Sequence, residues 1–399
     1  MTSLAPLPTL EAAEAALRAV NPEAYARTRN HLTGAVTGLS PYLTHGLLTV
    51  PQCMAALGLP PQHKLAYEFG WREFFRHVWA HRGDAIFDSL HDGPLPEQAY
   101  CRDVPADICT AATGVPVVDE AVRTLYRTGL LHNHARMWLA SYVVHGRKVH
   151  WRAGADWLYS HLLDGDLASN HLSWQWVAAT GSHKPYVFDA ANVARFAPPP
   201  WHSEGSAVDL SYDAWDTLAR TPRALPAGDD RAAASAVPEP VCTPSPAIGG
   251  PVQAGLPDPA AFGRDARPIW LAHPWALGPA PADTQTLAVV LREAHQARPW
   301  SEPRWHWVTE RMTELGGTVW VCDAAALAAW VDAVTTAGQR PERVQAVAEP
   351  HITRWLPPGI ALHPAPRHFP EVAPVCASFS AWWRRASGEA LPRRPHGGD

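Results

Sequence analysis

The chain has 399 residues, 47% of them hydrophobic, enough for two or three domains with cores of their own. A net charge of −5 gives no overall electrostatic case for a nucleic-acid partner, although a local basic groove depends on distribution rather than total. No apolar run approaches the roughly 20 residues of a membrane helix, and the first residues show no signal-peptide pattern. Six scattered cysteines (Cys53, Cys101, Cys109, Cys242, Cys322, Cys376) form no C-x-x-C pair, which points to reduced cytosolic thiols and a cytoplasmic protein rather than to a zinc or iron–sulfur site.

Residues 1–200 read as helices separated by short capped loops, with no convincing strand runs. MTSLAPLPTLEAAEAALRAV opens as a cap plus a helix. In VTGLSPYLTHG, Ser40 is a good N-cap and Pro41 suits the first helical position. Such a helix start, flanked by Thr37 and Gly38, suits either a phosphate or nothing more than a cap. KLAYEFGWREFFRHVWAHRG places Glu68, Trp71 and Arg72 on one helical face, and its plain reading is a Glu68–Arg72 ion pair beside a core aromatic.

HNHARMWLASYVVHGRKVHW likewise gathers Asn133, Arg136 and Met137 on one face. Arg136 sits in an apolar run and needs a carboxylate, because an unpaired buried charge costs about 3–5 kcal/mol. Asp164 and Asp166 of DGDLASNHLSWQW are its candidate partners. That stretch also carries Asn170 and sets Trp174 and Trp176 two residues apart, on different faces of a helix.

Residues 201–265 are rich in Pro, Ala and Gly and read as a linker. Residues 266–399 change texture. PIWLAHPW, TVWVCD and RVQAVAEP read as strands, whereas TLAVVLREAH and AAALAAWVDAVTTAG read as amphipathic helices. This alternation predicts a small α/β domain with a parallel sheet, without a G-x-G-x-x-G or P-loop motif.

The run from Tyr25 to about Pro198 resembles the FAD-binding domain of the DNA photolyase/cryptochrome family. The resemblance is carried by TGLSPYL (37–43), EFGWREFFRH (68–77), TGVPVVDEAVRTL (113–125), TGLLHNHARMWLAS (128–141) and DGDLASNHLSWQW (164–176), in family order. It implies an all-helical bundle that holds FAD, followed here by the α/β domain. Matching positions put Tyr25, Thr37, Leu39 and Ser40 at the phosphates and ribityl chain, with Arg136, Asp164, Asp166, Asn133 and Asn170 also contacting the cofactor. Trp174 and Trp151 match the proximal and middle members of the family's electron-transfer chain. Glu68, Trp71, Asn133, Met137 and Trp176 match the pocket for a flipped-out pyrimidine dimer in damaged DNA, and their combination resembles the cyclobutane-dimer class.

The sequence also departs from the family pattern. Val36 replaces a cofactor-contacting Thr or Ser, Gly38 and His134 replace arginines, and Leu130 replaces an aromatic. The distal tryptophan has no counterpart, Gln98 falling near it and Tyr100 being the closest oxidisable side chain. The C-terminal segment, ending SFSAWWRRA, faintly resembles the family's antenna domain moved to the other end of the chain, and an unrelated α/β domain is the alternative. The resemblance implies a monomeric light-driven repair flavoenzyme, with a cryptochrome-like photoreceptor as the alternative, and leaves any second chromophore unknown.

Overall fold

The computed structural model describes residues 5–228, 237–246, 250–263, 265–338 and 342–388. The helical part comprises α1 Leu10–Ala19, α2 Pro22–Thr28, α3 Ser40–Thr44, α4 Val50–Leu57, α5 Lys64–Arg82 and α6 Ala106–Cys109. It continues through α7 Pro116–Thr128, α8 Asn133–Ser141, α9 Trp151–His161, α10 Leu167–Ala178, α11 Ala190–Phe196 and α12 Tyr212–Ala219. Local chemistry sets these bounds. Thr9 caps α1 through its side chain, Thr49 and Gln52 form a capping box on α4, and Gly58 and Gly129 close α4 and α7 with positive φ.

The second part has β1 Val252–Ala254, α13 Pro259–Gly263, β2 Ile269–Ala272, β3 Gln285–Leu291, α14 Arg292–Gln296 and α15 Glu302–Gly316. It ends with β4 Val319–Cys322, α16 Ala324–Gly338, β5 Val344–Ala348, β6 Ile360–Pro364 and α17 Phe379–Ala386. All six strands are parallel, in the order β1-β4-β3-β2-β5-β6. Connections leave β2 in one direction and reach β5 in the other, so a crevice forms at the carboxyl ends of these two strands.

Three sequence expectations change. TLAVVLREAH is not a helix: its apolar run is β3, followed by the short α14. A continuous apolar stretch has no period, and here five of seven residues are buried beneath helices, as in other parallel sheets. Residues 201–265 are not a plain linker, since α12, β1 and α13 lie within them; 229–236 and 247–249 fall outside the described residues. Finally, the core does not divide at the linker. One apolar cluster lies among the helices after α5, but the other runs from α1, α4 and α5 through the sheet to α17.

Candidate functional site

The loop Asp164–Gly165–Asp166 joins α9 to α10 and organises the site. Arg136 on α8 donates from Nη2 to both Asp164 oxygens, at 2.7 and 2.8 Å, and from Nε to the Leu131 carbonyl. The Asp164 side chain is 4% exposed and that of Arg136 26%, so the pair opens outward on the arginine side.

Asp166 behaves differently. It caps α10, accepting from the Ser169 N–H and hydroxyl at 2.9 and 2.7 Å, and its other oxygen lies 3.2 Å from Arg76 and 3.3 Å from Arg72. Burial makes its carboxyl a weaker acid, but the two guanidiniums outweigh burial and hold it far below the ordinary carboxylate range. Expected as a cofactor contact, Asp166 thus has both oxygens engaged by protein and anchors the loop. Nor does Arg72 pair with Glu68, which contacts Lys64 at 2.9 Å and Arg29 at 3.6 Å instead. A buried carboxylate in low dielectric outcompetes a half-exposed one that water already solvates.

Sequence reasoning missed the groups that hold this loop from outside. Thr44 donates to the Asp164 carbonyl at 3.2 Å, and the His45 ring lies 2.9 Å from the Leu163 carbonyl. From α15, the fully buried Arg304 donates to the Tyr159 and Gly165 carbonyls at 2.9 and 2.7 Å. A Cβ on Gly165 would stand 2.9 Å from the Tyr159 carbonyl oxygen and 2.5 Å from that guanidinium, so any side chain there would push this backbone and Arg304 apart. Arg76 in turn donates to both oxygens of Glu349, just past β5. Arg76 had a visible signal, one turn beyond Arg72. Arg304 and Glu349 had none, because their partners lie more than a hundred residues away.

The remaining candidates fall into two groups. Asn170 is buried and donates to the Ala155 carbonyl at 2.8 Å. Trp174 is buried over Gly154, where an added Cβ would lie 2.3 Å from its ring. Trp151 starts α9 on the face that Gly154 shares, and donates from Nε1 to Ser89 at 3.0 Å. These residues line the seam between α9 and α10.

The other group is peripheral. Ser40 is not the cap of α3 but its first residue; Leu39 stands at the cap and is fully buried, and no side chain caps this helix. Thr37 accepts the Leu39 N–H at 3.3 Å. Tyr25 is packed so that burial, then Glu68, raise its hydroxyl well above the ordinary value. Asn133 is exposed and donates to the Met137 sulfur at 3.5 Å. Trp176 is 39% exposed, its ring 5.7 Å from Tyr186. Trp71 departs from expectation: Phe379 of α17 stacks on it with centroids 4.0 Å apart and planes at 9°, so one of its faces is already covered.

A cavity of about 640 Å³ lies between the two parts at the β2/β5 crevice, lined by Arg72, Arg76, Trp270, Trp275, Glu349 and Arg367 among others. Among the described residues no helix is long and apolar enough to cross a membrane, and no group of His, Cys, Asp and Glu is placed to hold a metal ion.

Residues 65–199 match the family model described as the FAD binding domain of DNA photolyase. A deoxyribodipyrimidine photo-lyase of Synechococcus sp. is 35% identical over 40% of this chain and 36% of its own length. A cryptochrome DASH of Idiomarina loihiensis is 30% identical over 49% of this chain and 46% of its own. A solved Synechocystis sp. cryptochrome is 26% identical, covering 47% of this chain and 43% of that one at a TM-score of 0.42. The chain thus spans less than half the length of these relatives.

Proposed function

We propose, from the match of residues 65–199 to the FAD binding domain of DNA photolyase and from the likeness to a photo-lyase and a cryptochrome DASH, that the chain is a light-driven flavoenzyme that splits pyrimidine dimers in DNA. The observation that carries this reading is one arrangement: the outward-opening Arg136–Asp164 pair stands at the loop that joins α9 to α10, and Asn170 and Trp174 follow along the seam between those helices.

These residues suit FAD. The uncapped start of α3 at exposed Ser40 offers backbone N–H groups to phosphate oxygens. Arg136 keeps part of its guanidinium open while Asp164 neutralises it, and tying the Asn170 amide nitrogen to Ala155 leaves Oδ1 free to accept. FAD, when bound and reduced, supplies the excited-state electron that opens the dimer and receives it back. The protein's part is to place groups. Trp176 presents an exposed ring for an extruded base, and Glu68, a third exposed, offers a carboxyl beside charge developing on the dimer. Asn133 and Met137 complete that side, and Trp71, backed by Phe379, forms an aromatic wall. An accessory chromophore would suit the 640 Å³ cavity at the strand switch point.

The covering of Trp71 by Phe379 favours a second reading, a cryptochrome-like photoreceptor without repair activity. One experiment separates the two. Fully reduced protein should restore a dimer-containing oligonucleotide under blue light and bind it more tightly than intact DNA. Trp176→Ala should weaken lesion binding about 5- to 150-fold, since stacking is worth roughly 1–3 kcal/mol per base, with the flavin spectrum unchanged. Equal affinity for damaged and intact DNA, with no light-dependent repair, would leave the photoreceptor.

A further inference from the structure

Trp151 is wired to the surface through hydrogen bonds that neither the family match nor the relatives' names assign. Its Nε1–H donates to the Ser89 hydroxyl at 3.0 Å, and that hydroxyl donates onward to Oε1 of Glu97 at 3.1 Å. The indole is 2% exposed, whereas the Glu97 side chain is 50% exposed, so two hydrogen bonds join a buried ring to solvent. Ser89, Glu97 and Trp151 all line one open cavity of about 350 Å³, behind the loop Asp92–Glu97. Arg102 at 3.1 Å and His150 at 3.5 Å face the same carboxylate. Burial would raise it, but the bonds from Ser89 and Arg102 prevail and keep it ionised and ready to accept a proton.

We propose that Ser89 and Glu97 form a proton exit that makes Trp151 the terminus of the electron chain. The inference rests on the proposed function, in which light-excited oxidised flavin is the oxidant, taking an electron from Trp174, which takes one in turn from Trp151. When Trp151 gives up an electron toward Trp174, its radical cation is a far stronger acid than the parent indole. The Nε1 proton passes to Ser89 Oγ as the Ser89 hydroxyl proton passes to Glu97 Oε1, leaving a neutral tryptophan radical and a protonated carboxyl that exchanges with water. No further reductant enters the step. Loss of the proton removes the charge that would pull the electron back, which is what a more distant tryptophan would otherwise achieve by separation. Tyr100 lines the same cavity but has no such exit: burial pushes its hydroxyl up, and the backbone group it meets, the Leu95 N–H, is a donor that can take no proton.

Transient absorption on the full FAD-loaded protein tests this, because radical cation and neutral radical have distinct spectra. In wild type the cation should convert to the neutral radical, more slowly in D2O. Ser89→Ala and Glu97→Gln should each slow that conversion by about 100-fold, the low end of what a positioned proton acceptor contributes. Ser89→Thr, which keeps the hydroxyl, should restore it. Unchanged conversion in both Ser89→Ala and Glu97→Gln overturns the proton exit while leaving the relay standing. Absence of any tryptophan radical in wild type overturns the relay itself, and the exit with it.

Discussion

At the scale of residues, the site is governed by which charges are buried and by what faces them. Arg136→Ala leaves Asp164, 4% exposed, without its guanidinium, and the expected loss is on the order of 3–5 kcal/mol. Urea denaturation with flavin retention in parallel checks it, and a variant of native stability and flavin content would refute the pairing. Glu349 offers a pH test. Burial pushes its carboxyl up, but Arg76 prevails and holds it at about 2. The folded value lies below the unfolded one of about 4.3, so the stabilisation is whole above that pH and is lost as pH falls toward 2. Glu349→Gln should therefore be less stable than wild type near neutrality and lose less stability across that acid range. Denaturation curves with the same acid slope as wild type would contradict it. At this scale an acid for Arg136 was legible in sequence to within two residues, Asp164 and Asp166, because an arginine in an apolar run demands one, while the choice of Asp164 lay beyond that pattern. The Arg72–Asp166 pair was not, because helical spacing offered Glu68 as a nearer partner and could not weigh burial.

At the scale of elements, α9 and α10 meet so closely that Gly154 fixes where the Trp174 ring can lie. A methyl there would collide with the Trp174 ring at 2.3–2.5 Å. Gly154→Ala should cost about 1–3 kcal/mol by overpacking and slow flavin photoreduction by shifting Trp174; thermal unfolding and photoreduction kinetics read the two effects separately, and an unshifted rate would show that the seam tolerates movement. Helices such as α1, α5 and α8 were readable from pattern, and so were β2, β4 and β5. β3 was misread, since its apolar run of five residues, Leu287 to Leu291, carries no period. The linker was overdrawn because proline and alanine content says little about segments that dock onto a neighbour, as β1 does beside β4.

At the scale of the molecule, the two parts share a core and the Asp164–Asp166 loop is held across their boundary. Arg304→Met would strip the Tyr159 and Gly165 carbonyls of their donor, each buried group costing about 1–3 kcal/mol. Flavin affinity should fall although α15 carries none of the cofactor positions, and an affinity equal to wild type would reduce Arg304 to interdomain packing. The same sharing has a consequence in time. α5 is laid down early in the chain, yet its aromatic face is covered by Phe379, Trp382 and Trp383, and His77 bonds to a residue 299 positions later. At roughly 5–20 residues per second of synthesis, that interval lasts about 15–60 s. Throughout it the nascent helical half carries Trp71 and Phe74 without the C-terminal aromatics that cover them in the folded protein, so the ribosome-bound chain shows aromatic surface that the finished one buries.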